Sequence, residues 1–318
     1  MRKDKKRPLG RGTQVVISSV IGVAIVGALA AVSYGRDIPV LNPHGTIADQ
    51  QYLLIVITVA LGFFVVIPVF ILLFVIAWKY RAGNTKAKYE PELEGNRKLE
   101  ALWWGIPCLI ILILAGITYI STHALDPYKP IESDVTPVRV QVVSLEWKWL
   151  FIYPDYNVAT LNFMNIPKET PINLTLTSDA PMNSFWVPAL AGQVYTMTGM
   201  RTQLHIMANT VGVFHGSSAN ISGEGFADMT FTVHAMDETD FVQWARTAVH
   251  SPAMLTSESY AELAKPSKNV PDTTYMLMTP TLFDDIMMKY MAPSSPSSSD
   301  ADTKKTDTME HMHMDGMN

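Results

Sequence analysis

The stretch from Gly212 to Met229 has the make-up of a metal loop: Gly212-Val-Phe-His-Gly-Ser-Ser-Ala-Asn-Ile-Ser-Gly-Glu-Gly-Phe-Ala-Asp-Met229. Its glycines suit a chain that wraps closely round an ion, and an alternating strand follows it. The donors such an ion needs are missing. The stretch holds no cysteine, and its one histidine, His215, has no partner at ligand spacing. The chain's single cysteine, Cys108, lies in an apolar run, so neither an intrachain disulfide nor a Cys-x-x-Cys framework is available to it.

Glu100 is a second residue with chemistry open to it. It stands at the mouth of an apolar run, beside Ala101-Leu102-Trp103-Trp104. A carboxylate in a helix's first turn is favoured by the helix dipole by roughly 0.3–1 kcal/mol. A carboxylate at the edge of a bilayer core can also take up protons for an ion path. Both readings stand on these residues alone. At the other end of the chain, Glu310-His-Met-His-Met-Asp-Gly-Met-Asn318 sets imidazoles beside thioethers. That pattern either holds a soft metal weakly or belongs to a solvated tail. Two aromatic runs, Glu146-Trp-Lys-Trp-Leu-Phe-Ile-Tyr153 and Met182-Asn-Ser-Phe-Trp-Val-Pro188, fit core packing or a binding surface.

The elements that must position these residues are of two kinds. The 318-residue chain is 48% hydrophobic and only 17% charged, against about a quarter charged in soluble proteins. The missing charge is concentrated in three apolar stretches, so a membrane protein with a soluble part is expected. A net charge of −5 gives no footprint for nucleic acid. Residues 1–33 join a basic start to an apolar run from Thr13 to Val32 and small residues, as a signal peptide does; an uncleaved spanning helix is the alternative. Residues 34–51 read as an external polar connector. Tyr52 to Trp78 contains no charge and makes a helix of roughly 40 Å, longer than a bilayer core, with Pro68 as a point of kinking. The loop 79–100 carries Lys79, Arg81, Lys86, Lys88, Arg97 and Lys98, and a second charge-free span covers 101–120. Basic loops stay in the cytoplasm, which places everything after His123 outside. Trp78, Tyr80, Trp103 and Trp104 flank the loop as interfacial aromatics do. The hairpin as a whole is 52–123.

From 135 to 235 the pattern changes to short alternating strands: Val138, Val140, Val142; Ile172, Leu174, Leu176; Met229, Phe231, Val233. Turn residues separate them, so a β-sandwich or barrel is expected. Residues 236–292 turn helical, with segments at Asp237–Ala248, Ser257–Leu263 and Pro280–Met291. Residues 293–318, rich in Ser and Asp, are expected to be disordered.

A membrane hairpin, an exported β-domain, the Glu146-Trp147-Lys148-Trp149 run, Trp78-Lys79-Tyr80-Arg81, Asn183-Ser184-Phe185 and the glycine-rich loop together resemble subunit II of the haem–copper oxidases. Within that family the chain is most similar to the ubiquinol oxidase branch, of cytochrome bo type. The resemblance implies a membrane α-helical hairpin plus an all-β cupredoxin-like barrel, with short C-terminal helices. In relatives that oxidise cytochrome c, the barrel holds a binuclear copper centre. Its ligands are a histidine and a Cys-x-Glu-x-Cys-x3-His-x2-Met loop. Placed on this chain, the histidine falls on Asn183 and the loop on Ser218, Asn220, Ser222, Phe226 and Met229. Only Met229 is retained. Hydroxyls and a phenyl ring do not hold copper.

The resemblance therefore implies no catalytic, cofactor or metal residue in this chain. Haems and copper are expected in a partner subunit I, with ubiquinol as substrate of the complex. Subunits III and IV and the lipid bilayer are the other expected partners, and cytochrome c is not. Glu100 matches a proton-uptake carboxylate of the family, and Trp147 an aromatic on the electron route of copper-bearing relatives. Some relatives attach lipid to a cysteine near the position of residue 33; this chain has none there. The expected function is subunit II of a proton-translocating ubiquinol oxidase in a bacterial inner membrane. The alternatives are a cytochrome c oxidase subunit with copper, or a non-catalytic exported binding module on a membrane anchor.

Overall fold

The structure, a computed structural model, describes residues 38–81, 83–86 and 95–291, with the single positions 22 and 27. The proposed signal segment, apart from those two positions, and the tail 293–318 lie outside the described residues.

Two helices are long and apolar enough to cross a membrane: α1, Thr46–Lys79, and α2, Arg97–Ala124. Their large side chains are exposed on every side, Phe64 by 64% and Leu112 by 70%. Both helices start earlier than their charge-free runs. Asn96 caps α2, its side-chain oxygen accepting from the Lys98 and Leu99 amides at 3.0 and 3.3 Å. α1 begins at Thr46, inside the stretch read as a connector, for a tertiary reason. A helix's first amides have no partner within it. Here the Thr46 N–H donates to the Met207 carbonyl and the Ala48 N–H to the Leu190 carbonyl, both at 3.2 Å. Those carbonyls belong to the β-domain, so the local sequence gives no sign of the start.

The β-domain packs two sheets face to face. In chain order its strands are β1 Val138–Leu145, β2 Lys148–Tyr153, β3 Val158–Leu161, β4 Phe163–Pro167, β5 Ile172–Ser178, β6 Asn183–Trp186, β7 Val194–Thr196, β8 Thr202–Ile206, β9 Gly212–Ser218 and β10 Thr230–Met236. Two more, β11 Met254–Leu255 and β12 Thr273–Leu277, come from the C-terminal region. The larger sheet runs β11-β12-β3-β2-β1-β5-β8, and the smaller β4-β10-β9-β6-β7. β1 pairs parallel with β5 and β10 parallel with β4, while β1 and β2 form an antiparallel hairpin. This is a cupredoxin-like sandwich.

Three helices follow: α3 Glu238–Ala248, α4 Ser257–Leu263 and α5 Leu282–Met291. The region read as purely helical thus also supplies two strands. β12 pairs with β3 and β11 with β12. Strands this short gain their hydrogen bonds from an existing sheet edge, so their own residues carry little signal.

β2 shows how the core is built. Trp149, Phe151 and Tyr153 point between the sheets, where Phe185 and Phe231 stack at 4.9 Å and Trp149 meets Phe185 edge-on at 5.4 Å. Leu150 and Ile152 point the other way, into a second cluster with Tyr260, Phe283 and Ile286 from the C-terminal helices. Both faces of the strand are covered, so it reads as one apolar run rather than an alternation.

Candidate functional site

The residues aligned with the copper loop come together at one end of the sandwich. Asn183 opens β6 and Ser218 closes β9; the two strands pair with Ser218 opposite Phe185, which leaves the Ser218 hydroxyl within reach of the Asn183 side chain. The Ser218 hydroxyl donates to Asn183 Oδ1 at 2.7 Å, and Asn183 Nδ2 donates to the Pro181 carbonyl at 3.0 Å. Both ends of the amide are therefore engaged, and both residues are buried. Asn220 Nδ2 donates to the Met182 carbonyl at 2.8 Å. Met229 is fully buried among the core aromatics. Phe226 begins a single 3-10 turn, Phe226–Asp228, and is half-buried. The Ser222 hydroxyl oxygen is buried with no partner among the described residues.

Trp147 holds the loop in place. It is the second of the two turn residues between β1 and β2 and takes φ +63°, a region that bulky side chains rarely occupy. Its indole N–H donates to the Ser222 carbonyl at 3.2 Å. The ring lies so close over Gly225 that a Cβ there would overlap it. Lys268 stands above the same ring, 5.5 Å from its centroid, and pairs with Glu224 at 2.6 Å. The loop is thus clamped between the β1–β2 turn and the C-terminal region.

As a donor set this site suits hydrogen bonding, not copper. It offers two amides, two hydroxyls, a phenyl ring and one thioether, and soft or borderline copper prefers thiolate and imidazole. Among the described residues there is no group of three or more His, Cys, Asp or Glu side chains placed to hold a metal.

Glu100 lies elsewhere. It is in the first turn of α2, its amide bonded to the Asn96 carbonyl at 2.8 Å, and its carboxylate folds back towards Gly95. The 28 residues of α2 put roughly 40 Å between its two ends. Glu100 and the loop therefore cannot act on one another directly.

Lys148 is the residue that sequence reasoning passed over. It is fully buried on the outer face of β2. Its ammonium donates to the Lys265 carbonyl at 2.7 Å and to Ser267 Oγ at 2.6 Å. Burial pushes this lysine below its usual range, and the nearby Glu146 charge only partly opposes that. The available signal was a lone lysine inside an otherwise unbroken apolar run.

Comparison with known proteins agrees with this architecture. Residues 156–236 match the family model for the cytochrome c oxidase subunit II periplasmic domain, and residues 250–294 that for the COX aromatic rich motif. The chain is 48% identical over 256 residues to cytochrome bo(3) ubiquinol oxidase subunit 2 of Pseudomonas aeruginosa, covering 80% of this chain and 77% of that one. It is 47% identical to the Pseudomonas putida protein of the same name, over 85% of this chain and 87% of that one. With ubiquinol oxidase subunit 2 of Acetobacter aceti the identity is 43%, over 84% and 88%. Among solved structures, the periplasmic domain of a cytochrome oxidase subunit II from Bradyrhizobium japonicum is 18% identical, covering 37% of this chain and 96% of that one, with a TM-score of 0.35. Two apolar helices joined to a periplasmic-type domain make this a membrane-anchored protein. The chain belongs to the subunit II family of the haem–copper oxidases, in its ubiquinol oxidase branch.

Proposed function

We propose that this chain is subunit II of a terminal oxidase that couples ubiquinol oxidation and dioxygen reduction to proton translocation, and that its β-domain has lost a copper centre. The observation that supports the copper loss is the donor set. Of the six aligned positions, Asn183, Ser218, Asn220, Ser222 and Phe226 lack the expected ligand, and only Met229 keeps it. A chain without that centre cannot accept electrons from a soluble cytochrome through its own metal. Membrane-dissolved quinol then delivers electrons to subunit I, which holds the haems and the remaining copper. Subunits III and IV complete the complex.

The chain crosses a bacterial inner membrane more than once, with loop 79–100 in the cytoplasm and the β-domain in the periplasm. The basic residues of that loop support this orientation. Glu100 then stands at the cytoplasmic edge, where it takes up protons for the complex. The β-domain caps the outer face and supplies assembly contacts.

The purified complex tests both halves of this reading. It should oxidise ubiquinol, leave reduced cytochrome c untouched, and show no near-infrared band from a binuclear copper centre. Such a band, with cytochrome c oxidation, would make the chain a copper-bearing subunit instead. Glu100→Ala should slow oxygen uptake severalfold at unchanged haem content. Undiminished uptake would reduce Glu100 to a helix-end carboxylate.

A further inference from the structure

Across β1, β5 and β8, alternation sends Val140, Leu174 and Leu204 into the core, so the residues between them face outward. The strand register sets those residues in two polar rows, Arg139-Asn173-His205 and Gln141-Thr175-Gln203. They line a cavity of about 300 Å³, to which Arg201 and Phe283 also contribute. None of them is an aligned copper position, and the oxidase reading gives them no task.

Two atoms of these lining side chains are buried without a hydrogen-bond partner among the described residues, Gln141 Oε1 and His205 Nε2. His205 is only 7% exposed. Its Nδ1 lies 2.8 Å from Asn173 Oδ1 and donates to it, because an amide oxygen only accepts. In the neutral ring Nε2 is then an acceptor, as Gln141 Oε1 is. The Tyr128 carbonyl acts on the ring but makes no hydrogen bond with Nε2. Buried acceptors left unpaired are costly, so this cavity suits an occupant that donates. One bridging water fills about 30 Å³, a small part of the space.

The charges of the cavity are balanced. Arg139 donates through Nε and Nη2 to Asp155, and Arg201 through Nη2 to Asp284 at 2.7 Å. Each guanidinium keeps further N–H groups for a ligand oxygen. An ammonium would face two guanidiniums, and an anion would face their two carboxylates, so an uncharged ligand fits. A hydroxyl both donates and accepts, which meets the orphaned acceptors and the arginines together. We propose that this cavity binds an uncharged polyhydroxy group, a sugar ring or the glycerol of a lipid headgroup, whose hydroxyls donate to Gln141 Oε1 and His205 Nε2. Both sources have access to it. His205 lies two residues from Met207, whose carbonyl receives the first turn of α1, and the charge-free run of α1 begins at Tyr52, six residues or about 9 Å beyond Thr46.

The test follows the ring-nitrogen resonances of His205 in the full chain, labelled at histidine and assigned by their loss in His205→Gln. One arm titrates glucose into the chain in lauryldimethylamine oxide, a detergent without hydroxyls. The other compares phosphatidylcholine nanodiscs with and without phosphatidylglycerol. A saturable change at Nε2 with glucose identifies a soluble sugar, and a change with phosphatidylglycerol alone identifies a headgroup; either result supports the site. Gln141→Leu should weaken that binding roughly three- to tenfold, and Gln141→Asn covers the case in which the Leu variant fails to fold. No change at Nε2 in either arm, or binding unaltered by both Gln141 variants, overturns the proposal.

Discussion

Ser218 and Asn183 satisfy each other with one neutral hydrogen bond at 2.7 Å, in a place where burial penalises any polar atom left unpaired. That bond ties the end of β9 to the start of β6 where the loop begins. Trp147 does the rest from outside, and Gly225 is the position that makes its approach feasible. Gly225→Ala should destabilise the domain by about 1–3 kcal/mol through overpacking against the indole, measured as a lower urea midpoint of the full chain in detergent. Combining it with Trp147→Leu should recover part of the loss, because the smaller side chain yields the space. Glycine content marked this stretch as a loop in the sequence, and its aligned positions came from the family resemblance alone. The Ser218–Asn183 bond and the Trp147 clamp were not legible there, since each joins residues 35 or more apart in the chain.

Among the elements, those that depend on their own residues were the readable ones. α4 spans Ser257–Leu263 as its pattern predicts, helped by a capping box between Thr256 and Ser259. β1, β5 and β10 follow from alternation. β2 defeats alternation because α4 and α5 cover its second face, and the start of α1 depends on carbonyls more than a hundred residues away. β8 adds a titrating group of its own. His205 is buried with Nδ1 2.8 Å from Asn173 Oδ1, and burial lowers its pKa from the ordinary 6.5 although the Tyr128 carbonyl pulls the other way. The folded protein thus resists a proton that the unfolded chain accepts. Stability is complete above about 6.5 and is lost as pH falls towards the lowered value, by about 1.4 kcal/mol per unit of depression. Thermal unfolding of His205→Gln should show a flatter acid slope than the native chain. An identical slope would assign the loss to other groups.

At the scale of the whole molecule, the membrane helix and the β-domain meet through a hydrogen-bonded joint. Beyond the two backbone bonds at Thr46 and Ala48, Thr46 Oγ1 donates to Asn209 Oδ1 and Asn209 Nδ2 to Asp49 Oδ2, both at 2.8 Å. Gly45 fits so closely that a Cβ would stand 2.6 Å from the Leu190 carbonyl oxygen. Gly45→Ala should therefore loosen the joint and speed hydrogen exchange at the first-turn amides of α1, while the β2 amides keep their protection. The second cover of β2 has a different consequence, one of timing. Leu150, Ile152 and Leu161 belong to a cluster finished by Tyr260, Phe283 and Ile286, about a hundred residues later in the chain. As the polypeptide is exported from its N-terminal side, the large sheet emerges with one apolar face bare and remains so until those residues follow. Such distant partners make for slow closure, and an interrupted export would leave that face open to aggregation.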